Sequence, residues 1–348
     1  MSKIASFCNQ KGGVGKTTSV INLASILGQY GKKVLVIDVD SQANATSGFG
    51  IDKPKTIEST TYQLIVDKRD PLELIRETGV SNVSLIASNF ELSGAELELI
   101  SQEKREFSLK EQLSKIENNY DYIFIDCPPS LGLMTINALV ASRYIIIPLQ
   151  CEYYALEGLG QLLHTYHLVK QKLNSELEIG GVILTMADFR TNLTQQVIEE
   201  VKSYFKEKVF KNIIPRTVKL SEAPSFGKPA VIYDPHNKGS EGYRSVGIEL
   251  LERFEGIIIN RKNEANGINE RGHEEGLKEQ AHENDKAEES GEVAQYAEPE
   301  KIENIGNSDR GDVLVKDERK EIINTEELNK GGKVYEQNAD VIKEEIQQ

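Results

Sequence analysis

The sequence predicts an α/β fold in which a mostly parallel, twisted sheet is flanked by helices, followed by a disordered acidic tail. Three observations lead to this prediction. Strand-like apolar runs alternate with helix-like runs over residues 1–261, a glycine-rich loop joins the first strand to the first helix, and the charge changes abruptly near residue 262. Near-continuous Val/Ile/Leu runs indicate strands buried on both faces, as in parallel sheets covered by helices.

The alternating elements favour one domain over residues 1–261, and no internal repeat is visible. Strands are predicted at seven apolar runs: Lys3–Asn9, Val34–Asp40, Val83–Ala87, Tyr122–Asp126, Tyr144–Pro148, Gly181–Thr185 and Phe210–Ile214. Helices are predicted at six runs: Thr17–Tyr30, Ser93–Gln102, Ser108–Asn118, Leu156–Lys172, Asn192–Lys206 and Gly242–Ile258.

The last quarter of the chain has a different composition. Residues 262–348 hold 12 Lys+Arg and 24 Asp+Glu, a net charge of −12. Residues 1–261 hold 29 Lys+Arg and 31 Asp+Glu, a net charge of −2. The segment has few large apolar residues, so it cannot bury enough surface to offset its chain entropy. We therefore expect a disordered acidic tail, either plain solvated chain or a partner-binding or regulatory segment.

Composition also argues against several protein classes. Cys8, Cys127 and Cys151 show neither metal-ligand nor C-x-x-C spacing, which disfavours an iron–sulfur role and fits buried thiols in a reducing cytosol. No apolar run approaches the roughly 18 residues that a membrane span requires. The chain enters a strand almost at once, so we expect no signal peptide and a cytoplasmic location.

The glycine loop, residues 9–18, reads Asn-Gln-Lys-Gly-Gly-Val-Gly-Lys-Thr-Thr. A strand, a glycine turn and a helix start form the context of a phosphate-binding loop, because glycines let backbone N–H groups converge and the helix start favours an anion. Lys16 is predicted to reach the β- and γ-phosphates of ATP, and the Thr17 hydroxyl to take a Mg²⁺ position. The strict pattern requires glycine where this chain has Gln10, and Lys11 is an extra cation. The predicted nucleotide contacts are Lys11, Gly12, Gly13, Val14, Gly15, Lys16, Thr17 and Thr18.

Acidic residues end two of the predicted strands. The apolar run 123–126 ends in Asp126, a position that places a Walker-B aspartate near Mg²⁺, so Asp126 joins Thr17 as a predicted metal residue. The second strand ends Asp38-Val39-Asp40, with both carboxylates on one face. Two carboxylates so close need Mg²⁺ or Lys16 nearby to remain ionised.

Four segments together resemble the ParA/Soj-type chromosome-partitioning ATPases, which are signature-lysine P-loop ATPases with a deviant Walker A loop. The resemblance spans roughly residues 1–260 and rests on residues 9–18, 34–48, 120–130 (YDYIFIDCPPS) and 214–234 (IPRTVKLSEAPSFGKPAVIYD). Gln10 favours the partitioning branch, because the MinD, Mrp and nitrogenase-iron-protein relatives usually carry Gly there.

The resemblance implies a slow, Mg²⁺-dependent ATP hydrolase that acts as a switch. It implies that Asp40 orients or activates the attacking water and that Asp38 lies near the phosphates and the metal. A helix-capping or otherwise structural role is the alternative for Asp38. The resemblance also places Pro215 and Thr217 where a loop approaches the adenine.

The resemblance gives Lys11 a role between subunits. On the family's pattern, Lys11 reaches across a two-fold interface to the phosphates bound by the other subunit. The ATP-bound form would then be a homodimer whose subunits approach closely at Gly12. A second cation at the phosphates would offset charge both in the bound state and in the transition state.

A basic region suggests what the dimer binds. Residues 190–228 hold eight basic residues against four acidic ones, which is compatible with a footprint for DNA phosphates. The resemblance singles out Arg190 and Lys219 as contacts to non-specific double-stranded DNA. It also implies a ParB-type centromere-binding partner that stimulates hydrolysis, and a nucleoid-associated location. The alternative is that the basic residues of 190–228 only form the solvated face of a helix.

A second function class remains open, that of a MinD-like, membrane-associated positioning ATPase. It would require a basic amphipathic helix at the end of the fold, for which the run 257–262 is the candidate. This run is short and precedes the acidic tail, which anionic lipid would repel. We therefore expect no stable membrane association.

Overall fold

The computed structural model describes residues 2–52, 59–152 and 157–256. The predicted acidic tail, residues 262–348, lies outside these ranges, as does the candidate membrane segment at residues 257–262. Residues 153–156, where one helix was expected to begin, also lie outside them.

Seven strands of the described chain form one sheet: β1 (Lys3–Phe7), β2 (Val34–Asp38), β3 (Ile75–Glu77), β4 (Val83–Ile86), β5 (Tyr122–Asp126), β6 (Tyr144–Gln150) and β7 (Glu178–Thr185). Their order across the sheet is β3-β4-β2-β5-β1-β6-β7. All neighbours are parallel except β3 and β4, which run antiparallel at one edge. The predicted fold class, a mostly parallel sheet flanked by helices, is confirmed; it is that of the P-loop NTPases.

The helices of the same ranges are α1 (Lys16–Gln29), α2 (Asn44–Gly48), α3 (Thr61–Ile65), α4 (Leu92–Leu99), α5 (Ser108–Leu113), α6 (Leu133–Ala141), α7 (Glu157–Lys172), α8 (Asn192–Phe205), α9 (Val218–Glu222), α10 (Ala230–Tyr233) and α11 (Lys238–Glu255). Five of them match predicted helices closely or in part, and α11 begins four residues earlier than expected. The short helices α2, α3, α9 and α10 were not predicted, and neither was α6.

Side chains alternate between the two faces of the sheet along each strand, and helices bury both faces. In β2 every residue is buried, and Leu35 and Ile37 belong to the apolar core that includes side chains of α4 to α8. On the other face α1 packs against α11. There Gly247 lies so close to Ile26 that a Cβ at position 247 would come within 2.7 Å of its side chain. This two-sided burial fixes the carboxyl edge of the central strands, where the polar residues converge.

The predicted strand Phe210–Ile214 is wrong. Val209 and Pro215, the residues that flank it, make isolated parallel bridges beside β7, and the residues between them do not form a ladder. The backbone N–H of Lys211 donates to Oε2 of Glu249 in α11, at 2.9 Å, instead of to a strand. The run is therefore a bent connection: Phe210 and Ile214 are buried and donate their backbone N–H groups to β7, whereas Lys211 is exposed. Strand β3 was missed because it is three residues long and carries charged side chains at the sheet edge.

Candidate active site

The glycine loop connects the carboxyl end of β1 to α1. Gly13 and Gly15 have φ of 74° and 90°, in the left-handed region that favours glycine. Gly15 immediately precedes α1. The Thr185 hydroxyl at the end of β7 donates to the Val14 carbonyl at 2.8 Å, which ties the loop to the sheet. The loop is thus held open at a helix start, with the unpaired N–H groups that bind phosphate.

A cavity of about 420 Å³ lies in front of this loop. Its lining includes the predicted residues Gly12, Gly13, Gly15, Lys16, Thr17, Thr18 and Asp40. Val14 is not part of the lining; it is buried, and its carbonyl faces Thr185. Lys16 is 7% exposed, and its Nζ donates to the Lys11 carbonyl at 3.4 Å.

A second cavity of about 540 Å³ is lined in part by Pro215 and Thr217, the two residues that were expected near the adenine. Gly15, Thr18, Met186, Leu220 and Pro224 line both cavities. Two spaces that share a wall at the loop can hold a phosphate group in one and a base in the other. Met186 was not singled out from the sequence; its φ of 53° is unusual for a residue other than glycine.

Asp126 and Thr17 form a direct pair beneath the loop. The Thr17 hydroxyl donates to Oδ2 of Asp126 at 2.7 Å, while Oδ1 of the same carboxylate is buried without a hydrogen-bond partner. Burial, together with the nearby charge of Asp38, raises the pKa of Asp126 well above its usual value, against the lowering effects of Thr17 and Lys16. A buried carboxylate oxygen with free lone pairs beside a hydroxyl is a donor set that fits Mg²⁺.

Asp38 and Asp40 have different surroundings although they are two residues apart. Asp40 lines the first cavity, and its Oδ1 accepts from the backbone N–H of Gln42 at 2.9 Å. Asp38 is fully buried, and both of its oxygens accept hydrogen bonds from the loop that follows it. This is the structural role that the sequence left open as an alternative. Contact of Asp38 with nucleotide or metal remains a prediction.

The pKa of Asp38 follows from the same surroundings. Burial raises the pKa of its carboxyl from 3.8 to about 6, and the nearby Asp40 adds to this. Hydrogen bonds from the backbone and hydroxyl of Thr46 and from the backbone of Asp40 act in the opposite direction, because they stabilise the charged form.

Lys11 lies outside the cavity formed by its own loop. Its Nζ is 3.4 Å from Oε2 of Glu152, just beyond β6. The other oxygen of Glu152 accepts from the Arg216 guanidinium at 2.8 Å and from the Gln150 amide at 2.6 Å. Sequence reasoning missed Glu152, which lies four residues past the predicted strand Tyr144–Pro148 but only two past the observed end of β6.

Of the two predicted DNA contacts, Arg190 is exposed and Lys219 is partly buried, and each is paired with a neighbouring acid. Arg190 makes a two-point contact with Asp188, at 2.8 and 2.6 Å, while its side chain stays 88% exposed. These hydrogen bonds lower the pKa of Asp188 to about 2. Lys219 pairs with Glu222 at 2.9 Å and lies 5.4 Å from the centre of the Tyr233 ring.

Among the residues that the structure describes, no helix has both the length and the apolar character needed to cross a membrane.

Comparison with protein families identifies related sequences over most of the described chain. Residues 2–179 match the model of a family described as an AAA domain. The sporulation initiation inhibitor protein Soj of Bacillus subtilis is 55% identical over 250 residues, which cover 72% of this chain and 98% of that protein. The chromosome partitioning protein ParA of Myxococcus xanthus is 51% identical over 253 residues, covering 73% and 89%.

Solved structures share the fold. A cobyrinic acid a,c-diamide synthase from Mycobacterium smegmatis with bound ADP and magnesium has 32% identity and a TM-score of 0.65, covering 74% of this chain and 98% of its own. A putative plasmid partition protein from Borrelia burgdorferi bound to AMPPNP has 29% identity and a TM-score of 0.62, covering 74% and 99%. The cell division ATPase MinD of Pyrococcus furiosus has 26% identity and a TM-score of 0.60, covering 73% and 99%.

Proposed function

The chain belongs to the Soj/ParA family of chromosome-partitioning ATPases, and from this premise we propose that it is an ATP-dependent switch that dimerises, binds DNA non-specifically and drives chromosome or plasmid partitioning. The observation that carries the proposal is the Thr17–Asp126 pair beneath an open phosphate loop. The relatives that were solved with ADP and magnesium or with AMPPNP support ATP as the substrate and Mg²⁺ as the cofactor.

The residues of the first cavity have separate roles in ATP hydrolysis. The loop N–H groups and the Lys16 ammonium bind the triphosphate and offset its charge. Thr17 and the free oxygen of Asp126 hold Mg²⁺, which neutralises charge on the phosphates when it is bound. Asp40 also lines this cavity, where its carboxylate orients the attacking water. The adenine occupies the second cavity, against Pro215 and Thr217.

Lys11 has two positions in this proposal. In the single subunit its ammonium pairs with Glu152, away from the loop. In the ATP-bound homodimer it leaves Glu152 and reaches the phosphates held by the other subunit. ATP is then part of the interface between subunits, and hydrolysis weakens that interface.

The proposed DNA surface consists of residues 190–228, with Arg190 and Lys219 as its contacts. Because the Arg190 side chain is 88% exposed, its guanidinium is accessible to a DNA phosphate that would replace Asp188. Such contacts carry no sequence information, so binding is non-specific and strongly dependent on salt. A ParB-type centromere-binding protein is the proposed partner that stimulates hydrolysis, and the nucleoid in the cytoplasm is the proposed location.

The test is binding to random-sequence duplex DNA and to anionic liposomes, each with ATP, ADP or no nucleotide, over a series of salt concentrations. We expect ATP-dependent, salt-sensitive binding to DNA and none to liposomes. The likeness to MinD makes a membrane-associated positioning ATPase the second candidate. Binding to liposomes without binding to DNA would replace the partitioning proposal with that one.

A further inference from the structure

The loop between β2 and α2 folds around the carboxylate of Asp38. Oδ1 of Asp38 accepts from the backbone N–H of Asp40 at 3.2 Å. Oδ2 accepts twice from Thr46, from its backbone N–H at 2.9 Å and from its hydroxyl at 2.8 Å. Asp38 and Thr46 are both fully buried. The turn into α2 passes through Ala43 with φ of 52°, a left-handed conformation that must be held by contacts of this kind.

The Thr46 hydroxyl also binds the neighbouring strand. It accepts from the backbone N–H of Ser88, just after β4, at 3.0 Å. One oxygen atom therefore connects the end of β2, through Asp38, to the end of β4, through Ser88. Without this hydroxyl, the backbone N–H of Ser88 would lose this acceptor and the buried Asp38 carboxylate would lose one of its three hydrogen bonds, both of which are costly.

These contacts determine where Asp40 lies. The backbone N–H of Asp40 is held by Asp38, and its own carboxylate is folded back onto Gln42. Asp40, Gln42, Asn44 and Ser47 line the first cavity, whereas Thr46 does not. The loop thus presents Asp40 to the cavity on one side and is anchored by Thr46 on the other.

From this arrangement we infer that Thr46 is a positioning residue for ATP hydrolysis. It holds residues 40–47, which are the loop after β2 and the first turn of α2, at the distance from the phosphate loop that hydrolysis requires. The inference rests on the proposed role of Asp40. Thr46 acts through Asp38 and the loop and does not touch the nucleotide. A displacement of about 1 Å in a catalytic group is enough to cost up to about a hundredfold in rate.

Thr46→Val and Thr46→Ser separate this role from nucleotide binding. Valine keeps the shape of the side chain and removes the hydroxyl, while serine keeps the hydroxyl and removes the methyl group. We expect Thr46→Val to lower kcat by about ten- to a hundredfold, with the Kd for a fluorescent ADP analogue changed by less than about threefold. Thr46→Ser should retain at least about half of kcat, because both hydrogen bonds of the hydroxyl are kept.

Thr135→Val is the matched control. Thr135 is also buried, its hydroxyl donates to the Ser130 carbonyl at 2.6 Å, and it lines neither cavity. Its replacement should leave kcat unchanged, even if it lowers the melting temperature as much as Thr46→Val does. Three results would overturn the inference. The first is an unchanged kcat in Thr46→Val, and the second is a rise in its Kd for the ADP analogue by the same factor as the fall in kcat. The third is a kcat in Thr46→Ser that is no higher than in Thr46→Val. If Thr46→Val does not fold, Thr46→Ala is measured against the same outcomes.

A double mutant tests whether Thr46 acts through Asp40. If it does, adding Thr46→Val to Asp40→Ala causes no further fall in kcat; a fall that multiplies with that of Asp40→Ala overturns the inference. Failure of the proposed function gives a different result, since Asp40→Ala alone would then hydrolyse ATP at the normal rate. A normal rate in Thr46→Val, with kcat strongly lowered in Asp40→Ala, refutes only the role of Thr46.

Discussion

The Thr17 hydroxyl and Asp126 share one hydrogen bond of 2.7 Å, and it uses only one of the two carboxylate oxygens. The second oxygen is buried and unpaired, which a protein interior tolerates poorly unless another group completes it. This relationship between two residues 109 positions apart in sequence makes the end of β5 the proposed metal position.

Asp126→Asn should therefore weaken the response to Mg²⁺. The amide keeps the size of the side chain but removes the charge, so we expect the Mg²⁺ concentration for half-maximal ATPase activity to rise by about tenfold or more. A Mg²⁺ titration at saturating ATP measures it. Asp121→Asn, the same change just before β5, is the control and should leave the titration unaltered. The metal assignment fails if the two variants behave alike.

The stability of the nucleotide-free protein should depend on pH through Asp38. Its pKa is about 6 in the folded chain and close to 3.8 when unfolded. The folded state therefore binds more protons between these values, so the contribution of Asp38 to stability is present below about pH 4 and is lost as pH rises to about 6. The loss is about 3 kcal/mol. Asp38→Asn cannot titrate, so the difference in unfolding free energy between the wild type and this variant should change by about that amount across this range in urea titrations. If the difference in unfolding free energy between the wild type and Asp38→Asn stays constant with pH, the pKa of Asp38 is not raised by folding.

Gly12→Val should block dimerisation without preventing ATP binding. Gly12 has no left-handed φ, and a Cβ there would meet Pro129 at an ordinary 3.9 Å, so the first atom of the side chain fits in the single subunit. The proposed close approach of the second subunit does not. We expect normal binding of a fluorescent ATP analogue and no ATP-dependent increase in mass by light scattering. Gly15→Val, at φ of 90°, should instead lose nucleotide binding. ATP-dependent dimers of Gly12→Val would refute the prediction.

Asp188→Asn should strengthen DNA binding, because Arg190 loses its two-point partner and the surface loses a negative charge. We expect tighter ATP-dependent binding to random duplex DNA at low salt and a steeper salt dependence, by about one phosphate contact. Arg190→Glu should have the opposite effect. Glu103→Gln removes an exposed acid from a connection outside residues 190–228 and serves as the control. Unchanged affinity in Asp188→Asn would show that Arg190 does not contact DNA.

The sequence indicated the strands and the phosphate loop well because both depend on local patterns. An apolar run such as 122–126 is buried wherever it occurs, and glycine at positions 13 and 15 permits a backbone that other residues resist. The run 210–214 was misread for the same reason, since burial alone does not distinguish a strand from a bent connection.

The pairing of polar side chains was harder to foresee. Thr46 and Ser88 meet only because β2 and β4 are neighbours in the sheet, and no spacing in the sequence records that. The contact of Lys11 with Glu152, 141 positions away, likewise depends on the fold. The contact of Arg190 with Asp188 is different, because the two residues are only two positions apart and the sequence already places them together.

The contact between Lys11 and Glu152 is also a weak one. The two side chains are 36% and 43% exposed, so their ion pair stabilises this position by about 1 kcal/mol at most. A lysine held so lightly occupies its alternatives in proportions that ligands readily change. A single subunit therefore holds Lys11 only weakly at Glu152. In the proposed homodimer, the bound nucleotide and the second subunit would move Lys11 away from Glu152 through their greater affinity for it.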